Sequence, residues 1–204
     1  MSTSESKSYH HGDLRTALVD SALAILAEDG ADALTLRGVA RRAGVSAMAP
    51  YRHYPDKTAL LAAVAGRGFE ALRDALAEAD AKAPPGQALA AQGIAYVRFA
   101  LAHPVMFRLM FGPVQSTVDS ELKTKGHSAY SVLANRVSLE TPEPLREARV
   151  LGCWGLVHGL AGLALDGLIG PVGPAIEAAV TAAILALCPA TAQALYSKLE
   201  QNPC

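Results

Sequence analysis

Apolar residues recur at helical spacing in one segment after another of this chain, and the breaks between segments are marked by Gly, Pro or a capping residue. From His11 to Asp29, the positions Leu14, Leu18, Ala22, Ile25 and Leu26 share one face, and Asp29-Gly30 ends the run. Leu36, Val39, Ala40 and Ala43 form the apolar side of a short helix that Thr35 can cap and Gly44 stops. Ser46 then caps a second short helix expected over about Ala47 to Tyr54, with Pro50 in its first turn, where a missing N–H is tolerated. Asp56 caps a long helix to about Ala81, with Leu60, Leu61, Val64, Phe69, Leu72 and Leu76 inward, and Ala83-Pro84-Pro85-Gly86 closes it.

The same reading continues to the end of the chain. Gln87–His103 is a helix stopped by Pro104, and Met106–Phe111 is a short one. Gly112–Val118 is a loop, Glu121–Leu139 is a helix, and the segment Glu140–Pro144 breaks it. A helix over Leu145–Ile169, a loop over Gly170–Pro174, a helix over Ala175–Leu187 and a last one from Pro189 complete the expectation. The predicted fold is all-α with nine or ten helices: a three-helix unit followed by a larger helical domain. The boundaries expected are an unstructured arm over 1–9, a helix-turn-helix unit over 10–57 and a second domain over 58–204, with residues 57–81 as the connecting helix.

Two short helices joined by a turn containing Gly make a helix-turn-helix. Small Ala40 allows the second helix close across the first, and Gly44 supplies the turn. Charge changes the picture further. Between Thr35 and Lys57, the residues Arg37, Arg41, Arg42, Arg52 and Lys57 face Asp56 alone, on a chain of net charge −1. Local positive charge on a near-neutral chain is the footprint of phosphate binding, although a solvated basic face would have the same composition.

Composition narrows the class. With 204 residues and 51% hydrophobic content, much of it Ala and Leu, the chain can bury one large core or two linked ones, and the mixture favours helices. The polar start MSTSESKSYHHGD is not a secretory leader. Cys153, Cys188 and Cys204 are odd in number, far apart and without metal-ligand spacing, which points to reduced thiols in a cytoplasm. The least charged run, Val150–Leu165, is short for a membrane span and contains His158 and four glycines, so a buried helix is expected and no membrane partner. Tyr9, His10 and His11 bring no third ligand with them, so neither a metal site nor a cofactor is expected.

The stretch LTLRGVARRAGVSAMAPYRHYPDKTALL, with the helix before it, resembles the DNA-binding domain of the TetR family of bacterial transcriptional regulators over roughly residues 10 to 65. HPVMFRLMFG at His103–Gly112 and WGLVHGL at Trp154–Leu160 are similar to the ligand-binding domain of its WHG subgroup. The resemblance implies that Ala47, Tyr51, Arg52 and His53 enter the major groove, with Arg52 able to donate twice to guanine. It implies that Arg37 reaches a base edge or phosphate, and that Thr35, Tyr51 and Lys57 contact phosphates. Pro50 and Tyr54 face inward by periodicity. The partners implied are double-stranded operator DNA, a second copy of the chain and an effector of unknown structure.

Two patterns occupy the long helix near the C-terminus. Trp154 and His158 lie one turn apart, and with Phe99, Met106, Phe107, Met110 and Phe111 they have the composition of an apolar small-molecule site; the same residues could equally be core. Gly152, Gly155, Gly159 and Gly162 recur at three and four, so something approaches that stripe closely. One candidate is a partner helix across a two-fold axis, completed by the Ala-rich helix carrying Ala179 and Ala183 as the family does it; the other is a ligand. No catalytic residue is expected. The nearest nucleophile-like string, Gly126 to Tyr130, lacks the closing glycine of a nucleophile elbow and sits in a helix. A non-responsive architectural binder would carry broad positive charge, whereas outside residues 35–57 the acidic residues outnumber the basic ones by 18 to 13.

Overall fold

The computed structural model describes residues 11–112 and 120–187, in which every regular element is helical. Eight α-helices follow in order: α1 His11–Glu28, α2 Leu36–Arg42, α3 Lys57–Lys82, α4 Ala88–Ala102, α5 Pro104–Met110, α6 Ser120–Glu140, α7 Arg146–Leu165 and α8 Pro174–Leu187. Two 3₁₀ turns, Pro50–Arg52 and Glu143–Leu145, supplement them. The expected helix from Pro189, the arm over 1–9, His10, Cys188, Cys204 and most of the loop after Gly112 lie outside the described residues.

Caps set the starts. Thr35 Oγ1 accepts from the Gly38 N–H at 3.0 Å, and Asp56 Oδ1 accepts from the Ala59 N–H at 2.8 Å, each satisfying a donor that the first helical turn leaves open. Gly44, at φ +70°, ends α2: the Val45 N–H reaches back to Ala40 C=O at 3.0 Å and brings Val45 against the core.

Three boundaries differ from those read off the sequence. The segment 47–54 is not one α-helix but a turn followed by the 3₁₀ turn Pro50–Arg52, because Pro50 has no N–H to close an α-type bond onto Ser46. The Ala49 N–H takes Ser46 C=O instead, at 2.9 Å, and the tighter spacing continues through His53 to Pro50 C=O. Pro104 does not merely stop α4; it opens α5. The α7 helix ends at Leu165 rather than Ile169, since Gly167 at φ +70° lets the Leu168 N–H bond Leu163 C=O at 2.9 Å.

Two cores result. Leu18, Ala22, Ile25 and Leu26 of α1 pack with Leu34, Leu36, Val39 and Tyr54, and the start of α3 adds Leu60 and Val64. From Ala65 onward α3 changes allegiance: Phe69, Leu72 and Leu76 join Tyr96, Val97, Phe107, Met110, Val157 and Ile184 in the second core. Leu109 of α5 touches both. Contact between α3 and α5 is close at Gly68, where a Cβ would come within 2.5 Å of Met110 Sδ.

α7 is buried on one side only, through Val150, Val157, Ala161 and Ala164. By length and hydropathy alone the segment Glu143–Leu165 could cross a membrane, but that buried side is packed on α4 and α6. The opposite side is exposed, so the expectation of a buried helix holds for one face only in the single chain.

Candidate nucleic-acid interface and ligand cavity

Around α2 and the turn after it, the helix-turn-helix presents one polar face. Thr35, Arg37, Arg41, Ala47, Met48, Tyr51 and Arg52 are exposed there, His53 and Lys57 are half-exposed, and Pro50 and Tyr54 point into the core. Tyr54 is 2% exposed and accepts a hydrogen bond from Arg15 Nε, which ties α1 to the 3₁₀ turn. Met48, 66% exposed, and Tyr51, 42% exposed, are large hydrophobic groups left in water.

The basic residues are not equivalent. Arg42 makes a two-pronged ion pair with Glu28, at 2.6 Å in each prong, so its charge is already answered. Arg42 in turn holds the exposed Glu28 carboxyl below its ordinary pKa. Lys57 Nζ donates to Ala31 C=O at 2.6 Å, closing the α1–α2 loop onto the start of α3. Among the described residues no ion-pair partner faces Arg37, Arg41 or Arg52. Charge counting along the sequence could not make this distinction, because Glu28 lies well upstream of the basic run.

A cavity of about 460 Å³ opens in the second domain. Phe69, Leu72 and Leu76 of α3, Leu89, Gln92, Gly93 and Tyr96 of α4, and Phe111 after α5 form part of its wall. Lys123, Gly126, His127, Ala129, Tyr130 and Leu133 of α6, with Cys153, Trp154 and Val157 of α7, form the rest. Of the seven residues expected from sequence to line such a site, the cavity wall contains Phe111 and Trp154. Phe99, Phe107 and Met110 are packed in the core, and Met106 is packed beside it. His158 stands just behind the wall, with its ring 4.7 Å from Phe111, 5.5 Å from Phe107 and 6.2 Å from Trp154.

Tyr96 Oη and His158 Nδ1 share a hydrogen bond of 2.8 Å. Burial pushes the His158 imidazole below its ordinary value, and burial pushes the Tyr96 hydroxyl up, with Trp154 pulling the hydroxyl less strongly the other way. Both side chains are therefore neutral near pH 7. Further along α4, Gln92 Nε2 donates to Asp80 Oδ1 at 2.7 Å, and Arg136 Nε donates to the same oxygen at 2.7 Å. Arg136 holds the Asp80 carboxyl below its usual range, against the opposing effect of burial, and Gln92 adds to the lowering.

Sequence reasoning missed Tyr96, Gln92 and Tyr130. Tyr130 packs edge-on against Trp154 at 5.8 Å, and Tyr96 and Gln92 sit one turn apart on α4, so helical spacing from either position would have found its neighbour.

The glycine stripe does not face the cavity. A Cβ added at Gly152, Gly155, Gly159 or Gly162 would meet nothing within 4 Å, and the first three of these positions are exposed. Around them Leu151, Leu163 and Leu168 of the α7 region and Leu185 and Leu187 of α8 are left in water. Ala179 is exposed and Ala183 half-buried on α8.

Residues 18–64 match the profile described as bacterial regulatory proteins, tetR family, and residues 89–187 match the profile described as tetracyclin repressor-like, C-terminal domain. Over 70 residues the chain is 39% identical to the HTH-type transcriptional repressor KstR of Mycolicibacterium smegmatis. That match spans 34% of this chain and 34% of the repressor, about a third of each. A solved structure described as a protein with unknown function from Rhodococcus sp. RHA1 superposes with a TM-score of 0.77 at 34% identity, covering 92% of this chain and all of that one. The TetR-like transcriptional regulator LfrR from Mycobacterium smegmatis, solved in complex with proflavine, shares the fold with a TM-score of 0.58 at 23% identity over 83% of this chain and 94% of LfrR.

Proposed function

Since this chain belongs to the TetR family of bacterial regulatory proteins, we propose that it is a ligand-responsive transcriptional repressor in the cytoplasm. It binds a palindromic or near-palindromic operator as a homodimer and is released by a partly apolar small molecule. The observation that carries this reading is continuity along one helix: α3 begins at Lys57 beside the basic face and supplies Phe69, Leu72 and Leu76 to the cavity wall. The half of the chain that meets DNA and the half that encloses a ligand are therefore built on the same rigid rod.

On the DNA side, Arg52 reads a base edge while Ala47, Met48 and Tyr51 offer the apolar contacts that suit thymine methyl groups. Arg37, Arg41, Thr35 and Lys57 hold the backbone and so set register rather than sequence. His53 completes the groove-facing set. Two copies meeting through the bare stripe of α7 and the Ala-rich face of α8 place their recognition turns in major grooves about 34 to 36 Å apart. The exposed stripe supports a partner helix over a ligand there, since the cavity lies on the other side of α7. The units proposed are those expected from sequence: an arm over 1–9, the DNA-binding unit over 10–57 and the ligand-binding and dimerisation domain over 58–204. The relative named as a repressor supports the direction of control.

The experiment is binding of the purified protein to fragments of its own upstream DNA, in competition with random DNA at fixed salt. Tight binding at one palindromic site with dimer stoichiometry is the expected outcome. Weak, salt-sensitive binding to every fragment alike would favour an architectural role, and no binding at all would overturn the reading.

A further inference from the structure

The second-domain cavity has a lopsided chemistry. Its walls are largely hydrocarbon and aromatic rings, no Asp or Glu among the described residues lines it, and the basic side chains that do are Lys123 and His127, one helical turn apart on α6. Both are exposed, at the rim rather than in the depth. Four other cations of this half are committed to carboxylates: Arg98 to Glu177, Arg108 to Asp166, Lys125 to Glu70 and Glu121, and Arg136 to Asp80. Lys123 has no such partner among the described residues. An apolar chamber with a single-signed positive rim favours a ligand with an apolar body and an anionic head, and disfavours a cation.

A second polar group in the wall is also unanswered. Gln92 is 3% exposed, and its Oε1 has no hydrogen-bond partner. The orientation of the amide is fixed, because Asp80 can only accept and so must receive Nε2. An orphaned buried acceptor is costly until a donor reaches it, and because this oxygen is closed off from solvent, a ligand's donor reaches it only by displacing the wall side chains around it.

Resting on the reading of this cavity as the effector site, we propose that it takes an amphipathic carboxylic acid. The carboxylate sits against Lys123 and His127, the hydrocarbon body lies among the α3 and α6 leucines, and a hydroxyl on that body donates to Gln92 Oε1.

The chain's single tryptophan, Trp154, lies in the cavity wall and reports occupancy directly through its fluorescence. Titrations below their micelle concentrations with dodecanoate, 1-dodecanol and dodecyltrimethylammonium present one tail with three heads. Dodecanoate is expected to bind on the order of tenfold more tightly than the alcohol, with the ammonium weakest. Lys123→Glu, at an exposed position, should abolish that order. Hydroxydodecanoates with the hydroxyl at different positions should include one that exceeds dodecanoate, and the gain should vanish in Gln92→Leu, with thermal unfolding as the folding control. Equal or tighter binding of the ammonium, survival of the carboxylate preference in Lys123→Glu, or failure of all three probes would overturn the ligand class. Absence of any gain from a hydroxyl would overturn the Gln92 contact. Operator binding, measured without any amphiphile, separates these failures from failure of the regulator reading.

Discussion

Tyr96 and His158 are joined 2.8 Å apart behind the cavity wall, with the imidazole ringed by Phe107, Phe111 and Trp154. Burial depresses the imidazole's pKa in the folded chain, so between that depressed value and the ordinary value near 6.5 the unfolded chain holds a proton that the folded chain lacks. Stability is therefore fully present above about pH 6.5 and declines as the pH falls through the depressed value. Thermal unfolding followed from pH 7.5 to 5 should show this slope, and His158→Gln should flatten it. Tyr96→Phe, which leaves a buried nitrogen unanswered, should cost about 1 kcal/mol or more at neutral pH.

At the basic face, Arg52→Ala should lower operator affinity by roughly 1 to 3 kcal/mol and relax specificity at one position. Lys57→Ala should weaken all sequences alike and reduce the salt slope by about one, as follows from the phosphate contact proposed for it. Electrophoretic shifts against a set of single-base operator variants at two salt concentrations distinguish the two. A loss confined to specificity in both variants would show the assigned roles to be wrong.

Arg42 provides a sharper comparison. Already paired with Glu28, it should contribute less to DNA binding than Arg41 one position away, so Arg41→Gln is expected to lower affinity more than Arg42→Gln. Glu28→Gln should release Arg42 and raise non-specific affinity slightly. Competition binding on random DNA measures both effects.

On the exposed side of α7, Gly155→Leu and Gly159→Leu should fold without strain, because nothing in the chain occupies that space. Each should also relieve part of the roughly 0.5 to 1 kcal/mol that a helical glycine costs. Sedimentation is expected to show dimer loss together with a thermally sound monomer. If the dimer persists in both, the stripe is not the interface.

Trp154→Ala should change the response to effector more than the affinity for operator, since Trp154 touches the cavity and not the DNA face. Titrating DNA release with effector against direct DNA binding compares the two, and equal loss in both would mark Trp154 as a packing residue.

The helices were legible in the sequence wherever Thr35, Asp56, Gly44 or a proline fixed an end by local chemistry. The segment Ala47–Tyr54 was not, because periodicity gives the inward positions of Pro50 and Tyr54 correctly for either kind of helix and leaves the hydrogen-bonding pattern to the missing proline N–H. The long helix was overextended for a related reason: hydropathy runs on through Leu168 and Ile169, and only the left-handed backbone at Gly167 stops it. The cavity was the hardest to foresee. Apolar spacing on α4, α5 and α7 identifies a buried face, and Phe99, Phe107 and Met110 do lie on one. Which part of that face is left unfilled depends on the rotation of α6 over α3, and no local pattern encodes it.

Asp80, near the end of α3, is held by Gln92 from α4 and Arg136 from α6, while at the other end Lys57 is tied to the Ala31 carbonyl and Leu60 and Val64 are seated in the first core. If the rod pivots about the Asp80 grip it carries the first core with it, and at about 1.5 Å per residue the cavity wall at Leu72–Leu76 lies roughly 6 to 12 Å from Asp80 whereas Lys57 lies roughly 35 Å away. The gearing is therefore roughly three- to sixfold. Under the proposed ligand response, a shift of about half an ångström at those leucines would displace the DNA-side end by roughly 1.5 to 3 Å, and the strength of the Asp80 grip would set how small an effector can be sensed.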